Sequence, residues 1–312
     1  MRAITVNEYG AAPALTDVPD PQPGPGQVLI KIEAAGINPM DRTIADGEWK
    51  ARMPATFPLV LGADLAGVVE AVGKGARKFL AGDEVFGQLL IAPLGSAGTY
   101  AEHVAVTEDA PLARVPRGLD PAVAAALPTA GATALEIVDS LEPLTGKTML
   151  MVGAAGGVGS FVTQFAARAG AHVIAVARAG AADRMRAYGA AQTVDHTAVS
   201  VPDAVRQTHP DGIDAVVDVV SDAAGFATLA SLVRFGGTAL TTRYVADTKA
   251  LTSRGVAGVN FQLGMTTGVL DRLADAVVSG RIVVPPITRI KLEDVPSLNR
   301  NAHTDGKTVI TL

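Results

Sequence analysis

Cysteine is absent from all 312 residues, so the chain can form no disulfide, no thiolate nucleophile, no iron–sulfur cluster and no thiolate-held zinc. Nor does any apolar run approach the roughly 18 residues that a membrane helix needs. Basic residues are outnumbered as well. A net charge of -5 and a pI near 5.6 give no electrostatic reason to expect nucleic acid or an anionic membrane surface. Motifs of other chemistries are missing. There is no His-Glu-x-x-His metal site, no Gly-x-Ser-x-Gly elbow and no metal-ligand spacing among the histidines. Four positions after Tyr9, Tyr100, Tyr188 and Tyr244 stand Pro13, Val104, Gln192 and Thr248, so a short-chain reductase Tyr/Lys pair is absent too. The opening segment Met1–Asn7 is strand-like and lacks an apolar signal core. A soluble, cytoplasmic protein is the expectation.

What is present begins with 48% hydrophobic and 18% charged residues, a globular balance over a length sufficient for two cores. The most informative stretch runs from Thr148 to Gly159. Met149-Leu-Met-Val152 reads as a buried parallel strand and leads directly into Gly153-Ala-Ala-Gly-Gly-Val-Gly159. Phe161, Val162, Phe165, Ala166 and Ala169 then recur at helical spacing up to Gly170. Strand, glycine turn and helix make a dinucleotide fingerprint, in which a bare turn lets the backbone approach a pyrophosphate at the helix N-terminus. Ala154 stands where the pattern wants its first glycine, and Gly156 and Gly159 take the second and third roles. Ala155, Gly156, Gly157, Val158 and Gly159 are the expected cofactor-binding residues.

The next strand, His172–Ala177, ends at Arg178, where a ligand lacking a 2′-phosphate would call for Asp or Glu. A guanidinium suits a 2′-phosphate bidentately, and a carboxylate would repel it. NADP rather than NAD is therefore the expected ligand; the other reading of Arg178 is a strand end in solvent.

Residues 1 to about 115 read as short strands: Val28–Ala34, Leu65–Val72, Gly82–Gly87 and Thr99–Val106. Many such strands without helical spacing suggest a small, partly open barrel. From Asp120 the pattern changes to helices over Asp120–Leu127 and Thr133–Leu141, then strands near 148–153, 172–177, 192–195, 213–220, 236–242 and 257–262. Strands alternating with helices predict a doubly wound parallel sheet, an α/β fold of Rossmann type. Residues 268–279 form a helix, Leu292–Ala302 a short helix, and Ile287–Leu292 and Lys307–Leu312 strands that return to the barrel. The expected domains are 1–119 with 264–312, and 120–263.

Several stretches together resemble the medium-chain dehydrogenase/reductase superfamily. They are Gly36-Ile-Asn-Pro-Met-Asp41, Leu61-Gly-Ala-Asp-Leu-Ala-Gly-Val-Val-Glu-Ala-Val-Gly73, Gly82-Asp-Glu-Val-Phe-Gly87, the glycine turn and the terminal Gly306-Lys307. The resemblance runs from end to end and implies a Rossmann sheet inserted in a mostly β, GroES-like barrel domain. Asn38 stands where the zinc enzymes of that superfamily have a cysteine, and Ala63 where they have a histidine. The chain is thus similar to the zinc-free quinone oxidoreductase branch, whose members reduce quinones or activated carbon–carbon double bonds with NADPH.

The resemblance also implies roles. Asn38 matches an asparagine that faces nicotinamide and substrate, its amide donating to a carbonyl oxygen that gains charge; an Asx turn before Pro39 is the alternative. Thr133 matches a threonine bonded to the nicotinamide end, or else caps the following helix. His196 sits where a tyrosine near the adenosine phosphate is common, or in a solvent loop. Trp49 is the aromatic nearest to the expected substrate pocket, and is equally well a core or surface residue. The implied reaction is hydride transfer from NADPH to a quinone or an α,β-unsaturated carbonyl, with solvent as proton source and Tyr100 as an alternative or a packed residue. Runner-up readings are an enoyl thioester reductase and a non-catalytic NADPH sensor. A homodimer is expected, paired through the strand at 257–263.

Overall fold

Short segments of alternating burial, cut by glycine and proline, become strands in the computed structural model, which describes residues 1–298 and 305–312. In chain order they are β1 (Arg2–Val6), β2 (Ala14–Asp17), β3 (Gln27–Ile37), β4 (Leu59–Val60), β5 (Asp64–Val72), β6 (Glu84–Gln88), β7 (His103–Thr107) and β8 (Leu112–Arg114). Helix α1 (Pro39–Ala45) leaves β3 at once, and α2 (Pro121–Ala125) packs on β3 and β5. Asp120 starts α2 by accepting from the N–H groups of Ala122 and Val123, with Pro121 in the first turn, as expected from the sequence.

Helix α3 (Pro128–Leu141) then leads to a run of parallel strands: β9 (Thr148–Val152), β10 (His172–Val176), β11 (Gln192–Val194), β12 (Ile213–Asp218), β13 (Val233–Thr241) and β14 (Ala257–Asn260). The connections hold α4 (Gly157–Arg168), α5 (Ala182–Ala187), α6 (Val201–Thr208), α7 (Ala223–Ala230) and α8 (Thr248–Ser253). After α9 (Thr267–Val278) come β15 (Ile287–Lys291) and β16 (Lys307–Thr311). Two compact units result, Met1–Ala132 with Met265–Leu312, and Thr133–Gly264. Sequence patterning had put the boundaries at 119/120 and 263/264.

In the first unit a curved sheet has the order β15-β16-β3-β5-β6-β8, with β7 also on β3, around a core that includes Ile30, Ile32, Leu65, Val85, Leu112 and Ile310. The C-terminal strand β16 lies antiparallel to β3, so the last residues of the chain complete the barrel. In the second unit the order β11-β10-β9-β12-β13-β14 reverses direction at β9, and all pairs are parallel. This is the doubly wound order, and ligands bind it beyond the carboxyl ends of the strands at the reversal. The glycine turn after β9 is there. Among the described residues no helix is long and apolar enough to cross a membrane.

Three local expectations need correcting. The helix expected from Thr133 starts at Pro128, because proline is tolerated in a first turn and opens the helix rather than breaking it. The strand expected from Thr99 starts at His103; Tyr100 instead bonds Ile4 through its carbonyl and Leu61 through its N–H. The helix expected over Leu292–Ala302 is a 3₁₀ helix over Leu292–Ser297, and residues 299–302 lie outside the described residues.

Inside the barrel, α1 and the Thr99–Ala101 segment bury a polar pair. Tyr100 donates its hydroxyl to Asp41 Oδ2 at 2.6 Å, and the backbone N–H of Asn38 donates to the same oxygen at 2.7 Å. Asp41 Oδ1 has no hydrogen-bond partner among the described residues, and Asp41 lines a cavity of about 20 Å³ with Ile44, Leu61, Ala63 and Leu94. An anion with one oxygen facing apolar side chains is poorly solvated. Burial therefore pushes the Asp41 carboxyl up to about 7 from its ordinary 3.8, against the opposing pull of Tyr100 and the Asn38 N–H. Burial and the neighbouring carboxyl raise the Tyr100 phenol well above 10, so its proton stays in place. Tyr100 is thus the packed residue of the two readings.

A carboxyl raised from 3.8 to about 7 makes the folded state bind the extra proton between those values. The stability it confers is full below pH 4 and is lost as pH rises through 7, by about 4 kcal/mol at most. Urea unfolding of the wild type and of Asp41→Asn at several pH values checks this. The wild type should lose stability relative to the variant between pH 4 and 7.5, and parallel profiles would refute the buried proton.

Candidate active site

Strand register brings three distant residues together at one end of the barrel sheet. Thr308 pairs with Ile37 and Gly36 with Asp64, so β16, β3 and β5 deliver Lys307, Asn38 and Asp64 side by side. All three are at least nine-tenths buried, at 4%, 5% and 0% exposure. Lys307 Nζ donates to Asn38 Oδ1 at 2.6 Å and to the Ile37 carbonyl at 2.9 Å. Asn38 Nδ2 donates to Asp64 Oδ2 at 2.9 Å. A cation on one end and an anion on the other leave the amide only one orientation. The second amide hydrogen reaches back to the Gly36 carbonyl at 3.4 Å, longer than a normal hydrogen bond, and Asn38 also stands at the N-cap of α1, its N–H donating to Asp41.

Asp64 does more than hold Asn38. It accepts from the Thr129 N–H at 3.1 and 3.2 Å and from Thr129 Oγ1 at 2.6 Å, in the first turn of α3. Gln88 Nε2 completes the chain by donating to Thr129 Oγ1 at 2.6 Å. Thr133 lies one turn further along α3, buried, in the helix interior, so it is not the cap of that helix. Burial raises the Asp64 carboxyl, against the pull of Lys307, Thr129 and Asn38, and lowers the Lys307 ammonium, against the charges of Asp64 and Asp41.

Ala63, beside Asp64, is buried and offers a methyl group where the zinc enzymes have a donor. With the Asn38 oxygen taken by an ammonium, these residues do not fit a zinc ion. Among the described residues no group of three His, Cys, Asp or Glu side chains could hold a metal. Trp49 is half-buried, its Nε1 donating to Thr43 Oγ1 at 2.9 Å and Arg52 stacked on its ring.

In the second unit the glycine turn joins β9 to α4. Gly153 adopts φ +85, the left-handed region, one place before the Ala154 that fills the first glycine position; Ala154 is fully buried. Gly159 must be bare because a Cβ would stand 2.2 Å from the Gly153 carbonyl oxygen. Gly156 is different. Its φ of -75 suits any residue, and a Cβ there would meet nothing closer than 3.5 Å. The turn's carbonyls point back into the protein: Ala155 O accepts from Arg184 Nη2 and Ser160 Oγ, and Ala154 O from Ser160 Oγ. The N–H groups of Gly157, Val158 and Gly159 precede the Ser160 N–H to Gly156 O bond, and so have no partner within the helix.

Val176 pairs with Val194, which sets Arg178 and His196 at matching steps beyond the ends of β10 and β11. Both are exposed, and Arg178 has no ion-pair partner among the described residues. The acid beside them is committed elsewhere. Asp195 accepts from Thr197 N–H and Oγ1 with one oxygen and from Ala179 N–H with the other, and the Thr197 bonds hold its carboxyl below the ordinary range.

Sequence reasoning missed Asp64 and passed over Lys307 as part of a terminal motif. The available signal was that each is the charged first residue of a strand.

Comparison with known proteins agrees with this architecture. Residues 24–117 match the alcohol dehydrogenase GroES-like domain and residues 157–260 the zinc-binding dehydrogenase family. A chloroplastic NADPH-dependent alkenal/one oxidoreductase of Arabidopsis thaliana is 33% identical over 99% of this chain and 79% of its own length. A chloroplast envelope quinone oxidoreductase homolog of the same plant is 36% identical over 70% of this chain and 67% of its own. The Coxiella burnetii quinone oxidoreductase superposes with a TM-score of 0.87 at 26% identity, covering 100% of this chain and 99% of that one. Barrel, doubly wound sheet and matched relatives agree, and the chain belongs to the quinone oxidoreductase branch of the medium-chain dehydrogenase/reductase superfamily, a branch of oxidoreductases.

Proposed function

We propose that this oxidoreductase uses NADPH, without zinc, to reduce quinones or the activated double bonds of α,β-unsaturated carbonyl compounds. The observation that carries the cofactor reading is Gly156. Neither its backbone angles nor its neighbours require glycine, so the bare surface serves something outside the fold. A pyrophosphate approaching the free N–H groups of Gly157 and Val158 is such a partner, with Ala155 and Gly159 closing the turn. Arg178 supports the phosphorylated cofactor because an exposed guanidinium with no ion-pair partner among the described residues follows β10, and is assigned to a 2′-phosphate, with His196 beyond the end of the neighbouring β11 as a second donor.

NADPH, when bound, supplies the hydride. The chain's own residues orient and polarise. Asn38, gripped by Lys307 and Asp64, keeps one amide hydrogen only loosely engaged, and that hydrogen is the one we assign to the acceptor's carbonyl oxygen. Thr133 is assigned to the nicotinamide end. The relatives support the acceptor class through their names, alkenal/one and quinone oxidoreductases. A homodimer paired through β14, the last strand of its sheet, is proposed on the edge it presents.

Fluorescence titration with NADPH and NADH tests the cofactor assignment. Gly156→Ala should weaken NADPH binding by about tenfold or more with an unchanged Tm, whereas Gly159→Ala should lower the Tm itself, as overpacking costs about 1–3 kcal/mol. Equal Tm losses in both variants would remove the argument from Gly156. Arg178→Asp should cost NADPH about 1.5–3 kcal/mol of binding and leave NADH little changed. A wild type that prefers NADH would overturn the reading of Arg178. NADPH oxidation with 1,4-benzoquinone and with 2-cyclohexenone then fixes the acceptor class; turnover of an enoyl thioester alone would replace it.

A further inference from the structure

We propose that Asp64 is the positioning residue for Asn38: one buried carboxylate that orients the Asn38 amide and is itself held by Thr129 in the first turn of α3. The inference rests on the reductase reading above and adds a group that the family resemblance does not supply. Asp64 reaches its place because Gly36, its partner across β3 and β5, has no side chain; a Cβ there would stand 2.3 Å from the Ala125 carbonyl and 3.2 Å from the Asp64 Cβ. The carboxylate then accepts the Asn38 amide on one side and Thr129, by N–H and hydroxyl, on the other.

Its counter-charge is arranged unusually. No direct contact joins Lys307 to Asp64; the ammonium bonds Asn38 Oδ1 instead, so the amide lies in series between cation and anion. That arrangement polarises the amide. A carbonyl oxygen bound by an ammonium draws charge from the nitrogen and strengthens its remaining N–H as a donor, and the effect is large where water is excluded. The same pair could serve stability alone. Buried ion pairs are often replaceable by neutral groups at little cost, while removing one partner strands the other. Stability and positioning therefore separate in a double variant.

The test compares Asp64→Asn, Lys307→Met and the double variant with the wild type. Each single change should lower the Tm, and the double change should recover most of it. If Asp64 positions the site, kcat of the folded double variant stays at least about tenfold below wild type, with KM for NADPH within about threefold. The second readout needs no turnover. In the wild type the Asn38 side-chain amide should show slow hydrogen exchange and a shifted NMR resonance, and in the double variant it should exchange freely. A double variant with wild-type kcat overturns the proposal, as does an Asn38 amide that already exchanges freely in the wild type. Should the wild type turn over no acceptor, the reductase reading fails, and amide exchange alone decides whether Asp64 fixes Asn38.

Discussion

The structure of the barrel depends on burying one ammonium without stranding it. Lys307 is 4% exposed, and an unpaired charge at that depth would cost several kcal/mol. Two acceptors meet it, the Ile37 carbonyl and the Asn38 amide oxygen, and both belong to the end of β3. They are available only if β16 keeps its register on β3, since a slip of one residue would turn Lys307 to the other face. The charge thus specifies the register of the last strand. It also explains why β16, at the end of the chain, pairs with β3, a strand some 270 residues earlier. The anion that balances it, Asp64, is fixed by the next strand over, so three neighbouring strands are locked by one chain of hydrogen bonds.

A second carboxyl lies close by and is handled differently. Asp41 receives Tyr100 and the Asn38 N–H on one oxygen and nothing among the described residues on the other, whereas Asp64 has Thr129 and Asn38 across both. Two full anions against one ammonium would leave an uncompensated charge. Burial pushes both carboxyls up, the poorly solvated Asp41 to about 7, so below that pH Asp41 adds no second full anion beside Lys307. The difference follows from geometry: Asp64, the carboxyl with more donors, is the one bonded to the Asn38 side-chain amide.

Much of this was legible in the sequence, for identifiable reasons. Runs such as Met149–Val152 and Val173–Ala177 are wholly apolar because both faces of a parallel sheet are covered, and the strands appear where those runs lie. The turn after β9 was legible because its glycines sit between a strand and a helix. Three things were not. Pro128 opens α3, yet a proline after an Ala-rich run reads as a stop. Thr99–Ala101 has strand composition but bonds to β1 and the end of β4 by isolated contacts that only tertiary structure supplies. The Lys307–Asn38–Asp64 chain joins residues 269 positions apart, and no local pattern contains a pairing of that separation. Periodicity reports which residues are buried; it does not report which buried polar groups meet.

The two candidate sites differ in what their residues owe to the fold. Gly153 and Gly159 are required by the protein itself, one by its left-handed backbone and the other by a carbonyl at 2.2 Å. Lys307, Asp64 and Asn38 likewise satisfy one another, and their chemistry is a by-product of a contact the barrel needs. Gly156 and Arg178 answer to nothing among the described residues: one omits a side chain where there is room, and the other holds an exposed guanidinium without an ion-pair partner there. Glycine in such a place costs conformational entropy, and that cost has no return in the folded state alone. Gly156 and Arg178 both follow carboxyl ends of strands in the same parallel sheet, which is why the proposed cofactor reading rests on them rather than on Gly153 or Gly159.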